Sequence, residues 1–317
     1  MNYSNHAIKG YMDFLRTVIF CTGKWESAES AWHLSYWRKI LFITCCLANY
    51  QAMTKYLHFF TEDKQRLAII TNQTSLYEQP TRQWLYYKST TNERGVAAIA
   101  HFSFLQEKLT IEALFHIYIE NGIILWSQPF NEDILTLKLN YERFYRKEGL
   151  LAVSLNLGDS RLYSVSFWVA PDSKGRLALW IGTLQGAKGQ AALIHALTKH
   201  FFGYRPKNLM IHVIRLLACS LQLNIIYAVS NCGSYVNTRF AINRKLKTSL
   251  DEFWAELGGK ISEDPRFFLI TIEETGKSFE ELPSHKRNLY RKRFVLLDKI
   301  DKAVNNAMNG LLRKVSG

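Results

Sequence analysis

A chain of 317 residues that is 48% hydrophobic and 21% charged can bury a substantial core in one large domain or two ordinary ones, which excludes an intrinsically disordered chain. Its formal net charge of +13 gathers anions and admits nucleic acid, anionic membrane, acidic carrier proteins or phosphorylated cofactors as partners, with a solubility surplus as the plain alternative. Five cysteines (Cys21, Cys45, Cys46, Cys219, Cys232), odd in number and without zinc-type spacing, point to a reducing compartment and to no metal cluster.

The first sixty residues read as helices, with Trp37, Ile40, Leu41, Thr44 and Leu47 recurring at helical spacing and Arg38 and Lys39 off that stripe. "DFLRTVIFC" is charged at its start and too short in its apolar core for a secretory signal. "ILFITCCLA" falls far below the ~20 apolar residues that cross a bilayer, so it is expected as a buried helix. A cytoplasmic protein follows, without a transmembrane segment and with contact to the inner membrane left open. Residues 101–122 read as a further helix ending at an Asn-Gly stop.

Near Ile134 the texture changes. "ILTLKLNYERF", "LLAVSLNLGD", "LYSVSFWVAP" and "LALWIGTLQG" are short runs of β-branched and aromatic residues separated by hairpin-length turns, an antiparallel meander. "GQAALIHALTKHFF" and "PKNLMIHVIRLLACSLQLN" follow as helices, the second opened by Pro206. "IIYAVSN" is a strand and "NTRFAINRKLK" a basic irregular stretch. "SLDEFWAELGGK" is a helix with an N-cap serine, acids in its first turn and a Gly-Gly stop; "RFFLITI" is the last strand. Residues 284–315 form one long helix whose stripe Leu289, Leu296, Ile300, Val304, Leu311 and Val315 lies beside a basic cluster.

The turn after "LALWIGTLQG" carries the functional question. A Walker loop needs Gly-Lys-Ser/Thr, but here Lys188 precedes Gly189 and Gln190 stands where the hydroxyl belongs. A dinucleotide fingerprint needs GxGxxG in a parallel βαβ unit, which antiparallel hairpins do not supply. What remains is Gly186-Ala187-Lys188-Gly189-Gln190-Ala191, after Gln185, which resembles the tail of the Q/R-x-x-G-x-G/A turn of GNAT-type acyltransferases, with Gly186 where Gln or Arg is usual. Backbone N–H groups opening a helix there would point at a coenzyme A pyrophosphate or a phosphopantetheine, with Lys188 adding charge. The element order around the turn resembles the GNAT order, and "EFWAELGG" resembles the helix end after the fifth GNAT strand. An extra helix before "IIYAVSN" and a basic insertion before "DEFWAELGG" depart from it.

Beyond that turn, "RKEGLLAVSL", "LYSVSFWV", "IGTLQGAKG", "YRPKNLM", "YAVSN", "LDEFWAELGG" and "ELPSHKRNLYRKRFVLLD" resemble, in order and over residues 75–300, the VirK/YbjX-like proteins of Gram-negative bacteria. The resemblance implies a cytoplasmic protein without an established reaction, from a family whose members are linked to virulence, surface-protein localisation and envelope modification. Many relatives carry a His after the "VSN" strand; this chain has "NCGSYVN" instead.

The expected fold is α+β. A helical N-terminal region (1–130) precedes a GNAT-like, mixed and largely antiparallel sheet flanked by helices (131–282) and an amphipathic basic C-terminal helix (283–317). Candidate bases are Glu148, His195 and His200, with Asp251 and Glu252 further candidates whose plain reading is helix N-terminal charge. Asn231 either binds substrate or caps a turn. Tyr204, Arg205 and Lys207 flank Pro206 at a helix start suited to anions, or cap a loop. Lys286, Arg287, Arg291, Lys292 and Arg293, with Tyr290 interleaved, suit lipid headgroups, tRNA or an acidic carrier, or are a solvated face. Three functions stay open: an acyltransferase using acyl-CoA or acyl carrier protein, a non-enzymatic accessory protein on anionic inner-membrane lipid, and an RNA or aminoacyl-tRNA-dependent transferase.

Overall fold

The computed structural model describes residues 10–23, 32–143, 146–237, 249–273 and 283–314. The basic stretch at 238–247 and Val315 lie outside them. The N-terminal part is helical: α1 (Tyr11–Gly23), α2 (Trp32–Ala48), α3 (Tyr50–Thr61), α4 (Lys64–Asn72), α5 (Ser75–Glu78), α6 (Thr91–Lys108) and α7 (Ile111–Tyr118). Local chemistry sets several of these ends. Asp63 accepts from the Gln65 and Arg66 N–H groups at the start of α4, and Thr90 with Glu93 closes a reciprocal capping box on α6.

Two sequence expectations change here. The face of α2 is not the expected one: Trp37, Leu41 and Leu47 are exposed, and Phe42 and Cys46 are buried. This helix is apolar nearly all round, so its packing against α1 and α3 selects the buried face, not its periodicity. The single helix expected over 101–122 is two helices. Thr110 caps α7 by accepting from the Ala113 N–H, and Leu109 leaves the helix to bridge Leu312.

The sheet begins earlier than the change of texture at Ile134. Its strands are β1 (Ile123–Phe130), β2 (Asp133–Asn140), β3 (Leu151–Leu157), β4 (Ser160–Pro171) and β5 (Leu177–Gly186), each antiparallel to the next. β1 tolerates Pro129 because it lies at the sheet edge. The chain then forms α8 (Ala191–His200) and α9 (Pro206–Ser220) before β6 (Ile226–Val229), which pairs parallel to β5. After α10 (Leu250–Glu256), the short β7 (Lys260–Ile261) and β8 (Phe267–Ile270) complete an eight-stranded sheet in the order β1-β2-β3-β4-β5-β6-β8-β7. The class is α+β. α9 packs on β3, β4 and β5, and α6 packs on β4.

The last helix, α11 (Ser284–Leu311), lies against α9 and β1 through Leu296, Ile300, Val304 and Met308, while Leu289 from the expected stripe is 41% exposed. One continuous apolar cluster runs from Phe14 on α1 to Met308 on α11. His101 ties its parts together. Its Nδ1 accepts from the Val169 N–H of β4 at 3.1 Å, so Nε2 carries the proton toward the Tyr118 hydroxyl at 2.8 Å, and Tyr118 donates to the Leu150 carbonyl.

Candidate functional site

Sheet register divides one face of the sheet into two halves. Lys138, Ser154, Ser164 and Gln185 stand opposite one another on β2, β3, β4 and β5, and Ser166 stands opposite Thr183. Side chains two apart on a strand share a face, so Ser164 and Ser166 on β4 continue into Trp168 and Ala170. The first half is polar and the second aromatic. Ser154, Ser164 and Ser166 are buried, and the Ser164 and Ser166 hydroxyls have no hydrogen-bond partner among the described residues. Buried hydroxyls in that state are rare, because each forgoes its hydration without compensation.

The halves meet at a β-bulge. Ser166 pairs with Thr183 but Phe167 pairs with Ile181, so Gly182 is the extra residue on β5. Only glycine fits there: a Cβ at position 182 would lie 1.6 Å from the Glu148 carbonyl oxygen. The close approach seats Glu148 over the strand, where its side chain is buried and its Oε1 accepts a 2.7 Å hydrogen bond from Gln185 Nε2. Burial pushes the Glu148 carboxyl up to about 8, against the lowering effects of Lys147 and the Gln185 bond. Tyr235 lies near enough that Glu148, after burial, helps push its hydroxyl up to about 12.

β5 leads from this carboxyl to the glycine turn. β6 pairs with β5 only over Leu179, Trp180 and Ile181; from Gly182 to Gly186 the strand pairs with β4 alone. Within the turn, the Ala187 N–H donates to the Leu162 carbonyl, so that amide is occupied, and Gly186 sits against the Tyr163 ring. The next amides differ. Lys188, Gly189 and Gln190 have no backbone partner among the described residues, and Gly189 holds φ +77 with nothing within 4 Å of a built Cβ. Gln190 opens α8 without a side-chain cap, and Ala191 begins that helix exposed.

Of the expected site residues, Glu148 and Gln185 are in contact and the turn from 186 to 191 follows Gln185 along the chain, and the others are dispersed. His195 is exposed on the outer side of α8. His200 faces β1, with its Nε2 3.1 Å from Gln128 Nε2 and its ring edge-on to Phe130, and burial lowers its pKa. Asn231 caps α10: its Oδ1 accepts from the Leu250 N–H, its Nδ2 donates to Ser249, and its own N–H donates to Asp251. Ser249 in turn accepts from the Glu252 N–H. Arg205 donates to Glu256 at 2.8 Å, and Lys207 shares that carboxylate at 3.6 Å while lying over the Phe253 ring. On α11, Arg293 donates from Nε and Nη2 to the Phe202 carbonyl beside Tyr290 and Tyr204, whereas Lys286 and Lys292 are exposed.

Sequence reasoning missed Ser164, Ser166 and the Gly182 bulge. The alternation of "YSVSFWV" shows the serines to share a face, but not that this face is buried. Among the described residues no group of three or more His, Cys, Asp or Glu is placed to hold a metal, and no helix is long and apolar enough to cross a membrane.

The family described as a protein of unknown function (DUF535) matches residues 33–306. Uncharacterized protein YbjX of Escherichia coli K12 is 27% identical over 249 residues, covering 76% of this chain and 74% of its own. Two uncharacterized proteins of Haemophilus influenzae Rd are each 26% identical, one over 215 residues (67% of this chain, 70% of its own) and one over 235 residues (71% and 74%). A crystal structure of a protein of unknown function from Aquifex aeolicus VF5 is 14% identical and covers 63% of this chain and 98% of its own. Its TM-score of 0.21 is too low to bear on the fold.

Proposed function

From the premise that the chain belongs to the DUF535 family, as the VirK/YbjX-like proteins do, we propose that it is a cytoplasmic acyltransferase working at the polar half of the sheet face. The observation that carries this reading is Glu148, a buried carboxyl held by Gln185 on the same strand that runs into the glycine turn. A carboxyl with a pKa near 8 is mostly protonated at pH 7. Its ionised fraction, about a tenth, is a stronger base than an ordinary carboxylate, so its work as general base for an amine or hydroxyl grows as pH rises toward 8. The amides of Lys188, Gly189 and Gln190 at the start of α8, without a backbone partner among the described residues, suit the phosphate of coenzyme A or of a carrier protein's phosphopantetheine. The strand edge between Gly182 and Gly186, unpaired with β6, suits the pantetheine amides.

In this reading the acceptor nitrogen or oxygen attacks the thioester carbonyl carbon. A C–N or C–O bond forms, the C–S bond breaks, Glu148 takes the acceptor's proton, and the proton then passes to the departing thiolate. The buried Ser164 and Ser166 hydroxyls gain in the acceptor the hydrogen-bond partner they lack. The test is titration with acetyl-CoA, dodecanoyl-CoA and acyl carrier protein, with thiol release followed in the presence of amine and hydroxyl acceptors. Expected are saturable binding weakened by Gly189→Trp, and thiol release lost in Glu148→Gln while binding persists. Absence of binding to wild type and Gly189→Trp alike removes the reading.

A second reading, attachment to anionic lipid, is favoured by one surface: Lys286 and Lys292 of α11 are exposed near exposed Leu289, Phe294 and Val295. Salt-sensitive flotation with anionic vesicles that disappears in Lys286→Glu/Lys292→Glu supports it. Arg293 does not belong in that test, because it holds the Phe202 carbonyl.

A further inference from the structure

We propose that the aromatic half of the same face holds a linear hydrocarbon chain, so that the acyl group handled here is long and not acetyl. The chemistry of the cavity stands alone; that its chain is the transferred group rests on the acyltransferase reading above. Between α6 and strands β4 to β8 lies a cavity of about 630 Å³, within the ordinary range for small-molecule sites. Its floor is a row running straight across four strands, Trp168, Trp180, Tyr227 and Leu269, which the register places opposite one another. The Trp168 and Trp180 rings lie 6.1 Å apart and nearly parallel, and Trp180 and Tyr227 lie 4.3 Å apart. Val96 and Ala97 of α6 form the opposite wall.

Charge eliminates the other ligand classes. Six of the charged groups at the rim answer one another, Asp172 with Arg176, Lys174 with Glu263, and Asp264 with Arg266, while Glu93 is held in the capping box of α6 and Lys260 is exposed at the mouth. A phosphate would have to break these pairs or rest on exposed Lys260 alone at the mouth, so an anionic head is better served at the glycine turn. A cationic ligand has no better prospect, because Arg266 already lies 4.9 Å from the centre of the Tyr86 ring. The Trp180 N–H donates to the Ala170 carbonyl and offers nothing to a polar ligand. An uncharged apolar chain remains. Ile261 and Leu269, 65% and 44% exposed, carry the apolar lining out to solvent, as an entry for such a chain requires.

Position joins the chain to the chemistry. Trp168, the inner end of the floor, comes within 3.1 Å of the Cβ position of Gly182, the residue on which the Glu148 carbonyl rests. A chain lying along the aromatic row would thus end at Trp168, which packs against the Gly182 bulge under the Glu148 main chain. The source is either a donor thioester or a membrane lipid, and both carry the same chain.

The experiment reads tryptophan fluorescence and calorimetry with octanoate, dodecanoate and hexadecanoate, then with dodecanoyl-CoA and lysophosphatidylglycerol. Affinity is expected to rise roughly fourfold per added methylene until the cavity is full. Val96→Trp, at a half-exposed position that tolerates bulk, is expected to abolish that rise, whereas Glu148→Gln keeps it. Tighter binding of dodecanoyl-CoA than of lysophosphatidylglycerol assigns the chain to the donor, and the reverse assigns it to a lipid. Chain binding without any thiol release leaves the cavity assignment standing and removes the transfer reading. Affinity independent of chain length, or unchanged in Val96→Trp, overturns the proposal.

Discussion

At the scale of residues, Glu148 sets the sharpest expectation. Its carboxyl shifts from 4.5 to about 8 on folding, so between those values the folded protein binds a proton that the unfolded chain has lost. Stability therefore falls as pH rises through that window, at up to about 1.4 kcal/mol per pH unit. Glu148→Gln removes this loss, and its melting temperature should exceed that of wild type above pH 8, measured by thermal unfolding across pH. Gly182 gives a steric counterpart. Gly182→Ala forces a methyl group into the Glu148 carbonyl and should cost about 3 kcal/mol or more in urea unfolding. Gly189, with open space but φ +77, should cost only about 1 kcal/mol as alanine.

At the scale of elements, caps and clasps decide where helices begin and where they rest. Thr90→Ala opens the capping box of α6 and should cost about 1 kcal/mol by chemical denaturation. One guanidinium adds to the mooring of α11, beside its buried stripe and the His212–Asp301 contact at 2.6 Å. Arg293→Ala removes two donors from the Phe202 carbonyl and should lower stability by about 2 kcal/mol, while Lys292→Ala, on an exposed position of the same helix, should leave the midpoint unchanged. The parallel pairing of β5 with β6 has a different role. It ends at Ile181, so beyond that residue β5 continues toward the turn paired with β4 alone among the described residues.

At the scale of the whole molecule, two buried groups that titrate between about pH 3 and 8 oppose each other. His101, buried and neutral, falls from 6.5 to about 3 on folding, so the stability it contributes is present above pH 6.5 and is lost as pH falls toward 3. Glu148 has the opposite slope between 4.5 and 8. The two slopes cancel between pH 4.5 and 6.5, and stability should decline on both sides of that plateau. In Glu148→Gln the plateau should instead begin near pH 6.5 and extend upward, which the same thermal series measures.

Features encoded within a few residues were legible in the chain. Ser249, Asp251, Glu252 and Gly258-Gly259 mark α10 because capping and αL termination are local, and the hairpin turns mark the meander for the same reason. The glycine turn and Glu148 were likewise visible as residue types. Tertiary structure alone decided what those residues meet. It turned Phe42 and Cys46 inward on a helix that is apolar nearly all round, added β1 as an edge strand, and made Asn231 a cap for a helix that begins 19 residues away. It also placed Gln185 on a carboxyl 37 residues distant across a bulge that only glycine permits. Sequence determines local backbone preference because that energy lies between near neighbours. Burial, and with it the pKa of Glu148, depends on which distant segments exclude water.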